Sequence, residues 1–250
     1  MNMKIILSPA KKLDFSKSVT HDEGSELVFP NKTKTLVQKM KTLSADELGK
    51  LMKLSPQLSH LNYGRYQQMG TKENEISRAA DAFNGEVYTG LDFQSFQPEE
   101  LKSAQEKLLI LSGLYGILKP NTIIEPYRLE MGTKLSVDGG KNLYDFWGDD
   151  IVNFLNNQQS ETIVNLASTE YSKAAKLNKF EGTVVTPHFK EFKNGDFKVI
   201  MVYAKKARGT MAKWIIKNNI NHSEGIKNFT GDGYVFNESL SSEKDWVFTR

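Results

Sequence analysis

Six cations and no carboxylate lie between Phe197 and Ser223. Three of them fall within the five residues Lys205-Lys206-Ala207-Arg208-Gly209. The apolar run before them, Val199-Ile200-Met201-Val202-Tyr203-Ala204, reads as a strand. The spacing from Thr210 through Met211, Trp214 and Ile215 reads as a helix. Cations at a strand-to-helix corner sit beside backbone N–H groups and the positive end of the helix dipole. Such a corner is predicted to take an anion, above all a phosphate. The plainer alternative is a solvated connection whose charges only keep the chain soluble.

Other residues add to this chemistry. Lys11-Lys12 follow the first apolar run through Ser8-Pro9-Ala10, and ligands of α/β sheets gather at the carboxyl ends of strands. These two lysines are therefore placed in the same cleft as Lys205, Lys206 and Arg208, with a frayed terminus as the alternative. Arg128 follows Pro126 and stands between Glu125 and Glu130, where an internal ion pair competes with a substrate contact. In Ser168-Thr169-Glu170-Tyr171-Ser172-Lys173 a carboxylate, a phenol and an amine share one helical turn and could do acid–base work. A capped helix with Glu170 favouring its own dipole is the competing reading. Gly113 and Gly116 follow an apolar run, but no G-x-G-x-x-G and no Walker pattern accompanies them, so tight turns are expected there.

Several chemistries are excluded. The chain has no cysteine, which removes disulfides, thiolate catalysis and cysteine-ligated metal centres. Its four histidines, His21, His60, His188 and His222, lack metal-ligand spacing. Only His188, opening an apparent strand, stands out. No Ser–His–Asp arrangement or nucleophile elbow can be read. No metal site, cofactor or catalytic motif is predicted.

The elements that must position these groups follow from pattern. Lys4–Leu7 reads as a short buried strand stopped by Ser8-Pro9. Ser44-Ala45-Asp46-Glu47 has capping-box spacing ahead of Leu48, Leu51 and Met52. Ser55-Pro56 then supplies N-cap and first residue of a further helix carrying Leu58 and Leu61. Lys53-Leu54-Ser55 thus joins two helices as a short helix–hairpin–helix-like unit, without the glycines usual in that motif. Such hairpins can offer backbone N–H groups to a DNA phosphate; packing of two amphipathic helices is the alternative. Ile76–Phe83 reads as helix, as do Pro98–Lys107 and Leu143–Leu155. Leu108–Leu111, Thr162–Leu166 and Thr183–Phe192 read as strands, Asn194-Gly195 as a hairpin turn and Phe197–Ala204 as its returning strand. Tyr234–Phe236 and Trp246–Phe248 are short strand candidates. The expected fold is α+β (mixed α/β), a single domain over residues 1–250 with a central mixed sheet and a helical insertion at about 31–84.

Composition sets outer limits. A 250-residue chain with 39% hydrophobic and 25% charged residues has ample core for one such domain. The net charge is only +3, so the basic character is local. No stretch approaches the ~18 apolar residues of a membrane span, and the first apolar run is too short for a signal peptide. No membrane partner is expected, and the cytoplasm is the expected compartment.

Taken together, four segments resemble one family. They are Ser8-Pro9-Ala10-Lys11-Lys12-Leu13-Asp14-Phe15, Leu111–Gly116 with Pro126–Gly132, Asn165–Ser168 with Glu170-Tyr171, and Tyr203–Gly209. The chain is similar from Met3 to Arg250 to the YaaA family of bacterial peroxide-stress proteins. The resemblance implies a cytoplasmic protein that limits free iron and oxidative DNA damage under hydrogen peroxide. It also implies double-stranded DNA as partner, an unusual α/β fold and a helix–hairpin–helix-like element around Lys53–Gln57; it supplies no reaction. One reading follows: Lys11, Lys12, Arg128, Lys173, Lys205, Lys206 and Arg208 line a positive cleft on the DNA backbone. In the alternative, an enzyme holds a phosphorylated small molecule, a nucleotide or nucleobase, with the same cations while Glu170, Tyr171 or Arg128 acts. That reading expects a deep pocket with a carboxylate of raised pKa beside the cations. Direct iron sequestration is a third possibility, disfavoured by the lack of soft ligands.

Overall fold

The computed structural model describes residues 3–17, 19–20 and 23–250. His21 lies outside the described residues. In chain order the elements are β1 (Met3–Leu7), β2 (Lys12–Leu13), α1 (Pro30–Lys41), α2 (Ala45–Met52), α3 (Pro56–Gln68), β3 (Ser77–Arg78), α4 (Ala79–Ala82), β4 (Phe83–Asn84), α5 (Glu86–Leu91) and α6 (Pro98–Lys107). There follow β5 (Leu108–Ser112), β6 (Gly116–Leu118), β7 (Ile123–Ile124), α7 (Leu143–Trp147), α8 (Asp150–Asn156), β8 (Thr162–Asn165), α9 (Thr169–Ala174), β9 (Thr183–Lys193), β10 (Asp196–Lys198), α10 (Met201–Lys217), β11 (Val235–Phe236) and β12 (Asp245–Thr249).

The fold is mixed α/β, as expected, around one eight-stranded sheet. Its order is β11-β12-β9-β8-β1-β5-β6, with β10 added to β9. The five inner strands, β12, β9, β8, β1 and β5, run parallel. The flanking pairs β5–β6, β9–β10 and β11–β12 are antiparallel. Parallel strands covered on both faces should read as continuous apolar runs rather than alternating ones. β1 and β5, each buried at all five positions, do so. Lys4 is the exception inside β1: burial lowers its pKa, and its ammonium reaches the Glu106 carbonyl at 2.5 Å, at the end of α6.

Helices α1, α2 and α3 lie between β2 and β3. Ser44 and Glu47 form the expected capping box at α2, and Ser55 caps α3 with Pro56 in its first turn. Between the two helices Lys53 adopts φ 54°, the left-handed conformation that glycine takes at little cost. The two helices pack closely, because a Cβ on Gly49 would lie 2.6 Å from Ser59 Oγ.

Three expectations need correction. Ile76–Phe83 is not one helix but a two-residue strand, the single turn α4 and a second short strand. Ser77 and Arg78 are drawn into a ladder with β7 instead. Leu143–Leu155 is two helices, since Gly148 breaks the run at φ 52°. The largest correction concerns Phe197–Ala204. The hairpin turn at Asn194-Gly195 is present, but β10 stops at Lys198 and the chain enters α10 at Met201. Ala204, Ala207, Met211, Ala212, Ile215 and Ile216 are buried on that helix, a 3.6-period stripe that outweighs the β-branched residues before it. Gly209 ends no turn. A Cβ there would lie 1.8 Å from the Val87 carbonyl oxygen, and one on Gly90 would lie 2.1 Å from that of Lys206. α5 and α10 therefore cross backbone to backbone. No helix among the described residues is long and apolar enough to cross a membrane.

Candidate functional site

The carboxyl ends of β1, β5 and β8 form a floor. Ser8, leaving β1, accepts the Ser168 amide on its hydroxyl at 2.8 Å. Ser168 sits at the N-cap of α9 by position but makes no side-chain cap bond; the loop after β1 is what it holds. Tyr88 on α5 donates its hydroxyl to the Ser8 carbonyl at 3.0 Å. Ser112 ends β5, where its Oγ lies 2.7 Å from the Tyr127 hydroxyl and accepts the amides of Leu114 and Tyr115. Gly113 is there for close approach, not to cradle a phosphate: a Cβ would stand 2.3 Å from the Leu129 carbonyl oxygen. The 126–132 segment is thus pressed onto the strand ends.

Cations from separate segments meet on that floor. Lys11 Nζ lies 2.7 Å from Glu130 Oε2, and Arg128 Nη2 lies 3.0 Å from Glu130 Oε1. Burial alone would raise the Glu130 carboxyl, but the hydrogen bonds from Lys11 and Arg128 outweigh it and hold the group below the ordinary carboxylate range. Arg65, on α3, is lowered chiefly by burial, and the charge on Arg128 is near enough to push the same way. Its neighbour Tyr66 donates its hydroxyl to the Arg128 carbonyl at 2.8 Å. α3 is thereby tied to the 126–132 loop.

Glu170, Tyr171 and Lys173 border the same loop and serve to hold it. Glu170 Oε1 accepts the Gly132 amide at 2.8 Å, and Tyr144 donates to the Glu170 carbonyl at 3.1 Å. Lys173 Nζ stands 4.8 Å from the centre of the Tyr144 ring, a cation–π contact. Tyr171 is buried, and desolvation pushes its phenol well above its ordinary value. Burial does the same to Tyr66, Tyr88, Tyr115 and Tyr127. Phenols this hard to ionise make poor bases near neutral pH.

The second predicted group is divided by α10, which turns Lys206 away from Lys205 and Arg208. No strand-to-helix corner exists at Lys205. Lys205 is exposed, Lys206 reaches Asp232 at 3.5 Å, and Arg208 lies partly buried beside the core stripe, its pKa lowered by desolvation. Among the described residues no hydrogen bond or ion pair links these three to Lys11 or Arg128. α5 holds the loop after β1 through Tyr88 and crosses α10 at Gly90 and Gly209. Lys12 is exposed in β2.

The remaining candidates are accounted for locally. His188 Nε2 lies 2.7 Å from Asp245 Oδ1 across the β9–β12 ladder, and His60 Nδ1 lies 2.9 Å from the Pro56 carbonyl of its own helix. His222 accepts the Gly225 amide at 3.3 Å. No group of three or more metal-ligating side chains comes together among the described residues. A depression of ≈ 210 Å³ carries Asp14, Asp81 and Asp92, and another of ≈ 270 Å³ lies at Phe29, Lys32 and Asp150. Neither includes Lys11, Arg128, Lys205, Lys206 or Arg208.

Sequence reasoning missed Arg65 and the reach of Lys11 to Glu130, while the internal ion pair weighed for Arg128 is present. Arg65 looks like any polar helix residue, and only the fold brings α3 against the loop. Glu130 carried a usable signal: in an extended segment, residues two apart face one side, so Arg128 and Glu130 were placed to meet.

Comparison with known proteins places these segments in context. Residues 3–240 match the family model described as peroxide stress protein YaaA. The chain is 46% identical over 254 residues to a UPF0246 protein of Colwellia psychrerythraea, covering 99% of each chain. A UPF0246 protein of Saccharophagus degradans is 45% identical over 255 residues, again at 99% of each. One from Acaryochloris marina is 46% identical over 99% of this chain and 100% of its own.

Proposed function

The chain belongs to the peroxide stress protein YaaA family, and on that basis we propose that it binds double-stranded DNA through backbone phosphates. In this reading the cytoplasmic protein shields DNA and helps limit free iron when hydrogen peroxide rises. The observation that carries it is the meeting of Lys11 and Arg128 on the single carboxylate Glu130. Two cations against one anion leave a local excess of positive charge, supplied by the first loop and the 126–132 segment. Lys12, the next residue after Lys11, is exposed. Phosphate contacts of this kind position a protein on a duplex without reading its sequence.

The carboxylate beside the cations argues against the enzymatic alternative. A general acid near neutral pH needs a raised pKa, whereas Glu130 is lowered. The test is a competition: a labelled duplex bound to the protein is challenged with unlabelled duplex, with ATP and with a nucleoside monophosphate. Displacement by duplex alone supports the reading. Displacement by a nucleotide at micromolar concentration overturns it and makes a phosphorylated small molecule the ligand.

A further inference from the structure

All the sulfur in this chain is thioether, since it has eight methionines and no cysteine. Seven of the eight lie among the described residues. Six of these, Met3, Met40, Met52, Met69, Met131 and Met211, are buried, none more than 9% exposed. Met201 is the exception at 58%. A two-electron oxidant attacks the sulfur lone pair, so the rate follows access. A methionine sealed in the core reacts only when the structure opens around it, whereas Met201 is open at all times. For a member of a peroxide stress family, the relevant oxidant is a peroxide.

The place of Met201 also decides what an added oxygen would cost. It is the first residue of α10, and Val202 and Tyr203 beside it are exposed. Lys205, four residues on, shares its helix face and is exposed, with no ion pair among the described residues. A sulfoxide is polar and accepts hydrogen bonds. On Met201 its oxygen stays in water, within reach of an ammonium. On Met40, Met131 or Met211, each fully buried, the same oxygen would be a polar group in the core without a partner. We propose that Met201 is a peroxide-modification site, the methionine among the described residues that hydrogen peroxide oxidises in the folded protein. The sulfur lone pair takes one peroxide oxygen as the O–O bond breaks. The thioether loses two electrons and becomes the sulfoxide, and the peroxide is reduced and leaves as water. Reversal takes two electrons from a pair of thiols, as methionine sulfoxide reductases supply them, and releases the oxygen as water. The proposal does not depend on DNA binding.

The test is a time course in hydrogen peroxide on the folded full-length protein and on the same protein in urea. Samples are quenched, digested with two proteases of different specificity and read methionine by methionine from fragment-ion masses. In the folded protein Met201 should gain an oxygen roughly tenfold or more faster than any of the six buried methionines, which wait for an opening. In urea the seven rates should converge. Protein oxidised at Met201 alone should keep the wild-type melting temperature, and the two epimer-specific reductases together should return it to the unmodified mass. Met201→Leu should also melt with wild type, and its six buried methionines should stay unoxidised over the interval that converts Met201. A folded-state rate at Met201 no greater than at the buried methionines would overturn the proposal. So would a melting temperature that falls by several degrees on oxidation of Met201 alone, or a sulfoxide that the reductases leave in place.

Discussion

Lys11 with Arg128, and Lys205 with Lys206 and Arg208, are two groups of cations of the same residue types in opposite circumstances. The first pair comes from distant segments and meets on one carboxylate, held by a loop that Tyr127, Tyr66 and Glu170 fasten to the strand ends. The second group is almost contiguous, yet a helix turns each successive side chain by about 100°, which leaves Lys205 and Arg208 on one face, three residues apart, and turns Lys206 away from both. A sheet's strand ends can thus gather charge that the sequence scatters, while a helix can divide charge that the sequence gathers.

Disturbing the helical half of this contrast should give the largest effect. If α10 is continuous through Gly209, alanine there gains helix propensity of about 1 kcal/mol but drives a Cβ into the Val87 carbonyl. Overpacking of this kind costs typically about 1–3 kcal/mol or more. A close backbone crossing belongs at the upper end, so Gly209→Ala should lower the melting temperature by several degrees and Gly209→Val should yield no folded protein. A thermal melt followed by circular dichroism reads both. A more stable Gly209→Ala protein would show that the crossing is wrong and restore the turn.

Next in size is the strand-end pair. Lys11→Ala/Arg128→Ala should weaken duplex binding by at least about tenfold at low salt, as expected when two phosphates are no longer neutralised. Glu130→Gln should do the reverse and tighten binding a few-fold, because it frees both cations and removes a charge that repels phosphate. Glu130 also gives the pair a pH signature. Its folded pKa is lowered, so its contribution to stability is full above the unfolded carboxylate range and is lost as pH falls through the lowered value. Glu130→Gln should therefore melt below wild type at pH 7, with the gap closing in acid. An equal gap at pH 7 and pH 3 would deny that charge is what the carboxylate contributes. The smallest effect belongs to Lys205→Ala, an exposed side chain without a partner among the described residues. It should stay within about 0.5 kcal/mol of wild type in stability and two- to threefold in DNA affinity.

Much of the frame was legible from residue pattern. The fully apolar Lys4–Leu7 and Leu108–Leu111 runs located the inner strands, and Ser44-x-x-Glu47 and Ser55-Pro56 located two helix starts, because caps and buried parallel strands leave local marks. Where short-range preference met long-range packing, pattern gave way. Val199–Ala204 looks like a strand by composition, but the stripe from Ala204 to Ile216 buries more as a helix. Ser77-Arg78 leaves its helix for a ladder whose other strand is some 45 residues on. The candidate site was legible by residue type and not by grouping. Lys11 and Arg128 were identified separately, Arg65 not at all, since no local signal says that α3 will lie against the 126–132 loop.

The salt dependence of duplex binding decides between the two groups of cations. Anisotropy would follow it for wild type, Lys11→Ala/Arg128→Ala and Lys205→Ala/Lys206→Ala. The slope of log K against log salt changes by about 0.9 for each phosphate that the protein neutralises. The expected result is a slope shallower by nearly 2 for the strand-end variant and by less than 1 for the helix variant. An equal change in the two variants, or a larger one in the helix variant, would contradict the claim that the strand ends, and not the basic run of α10, hold the phosphates.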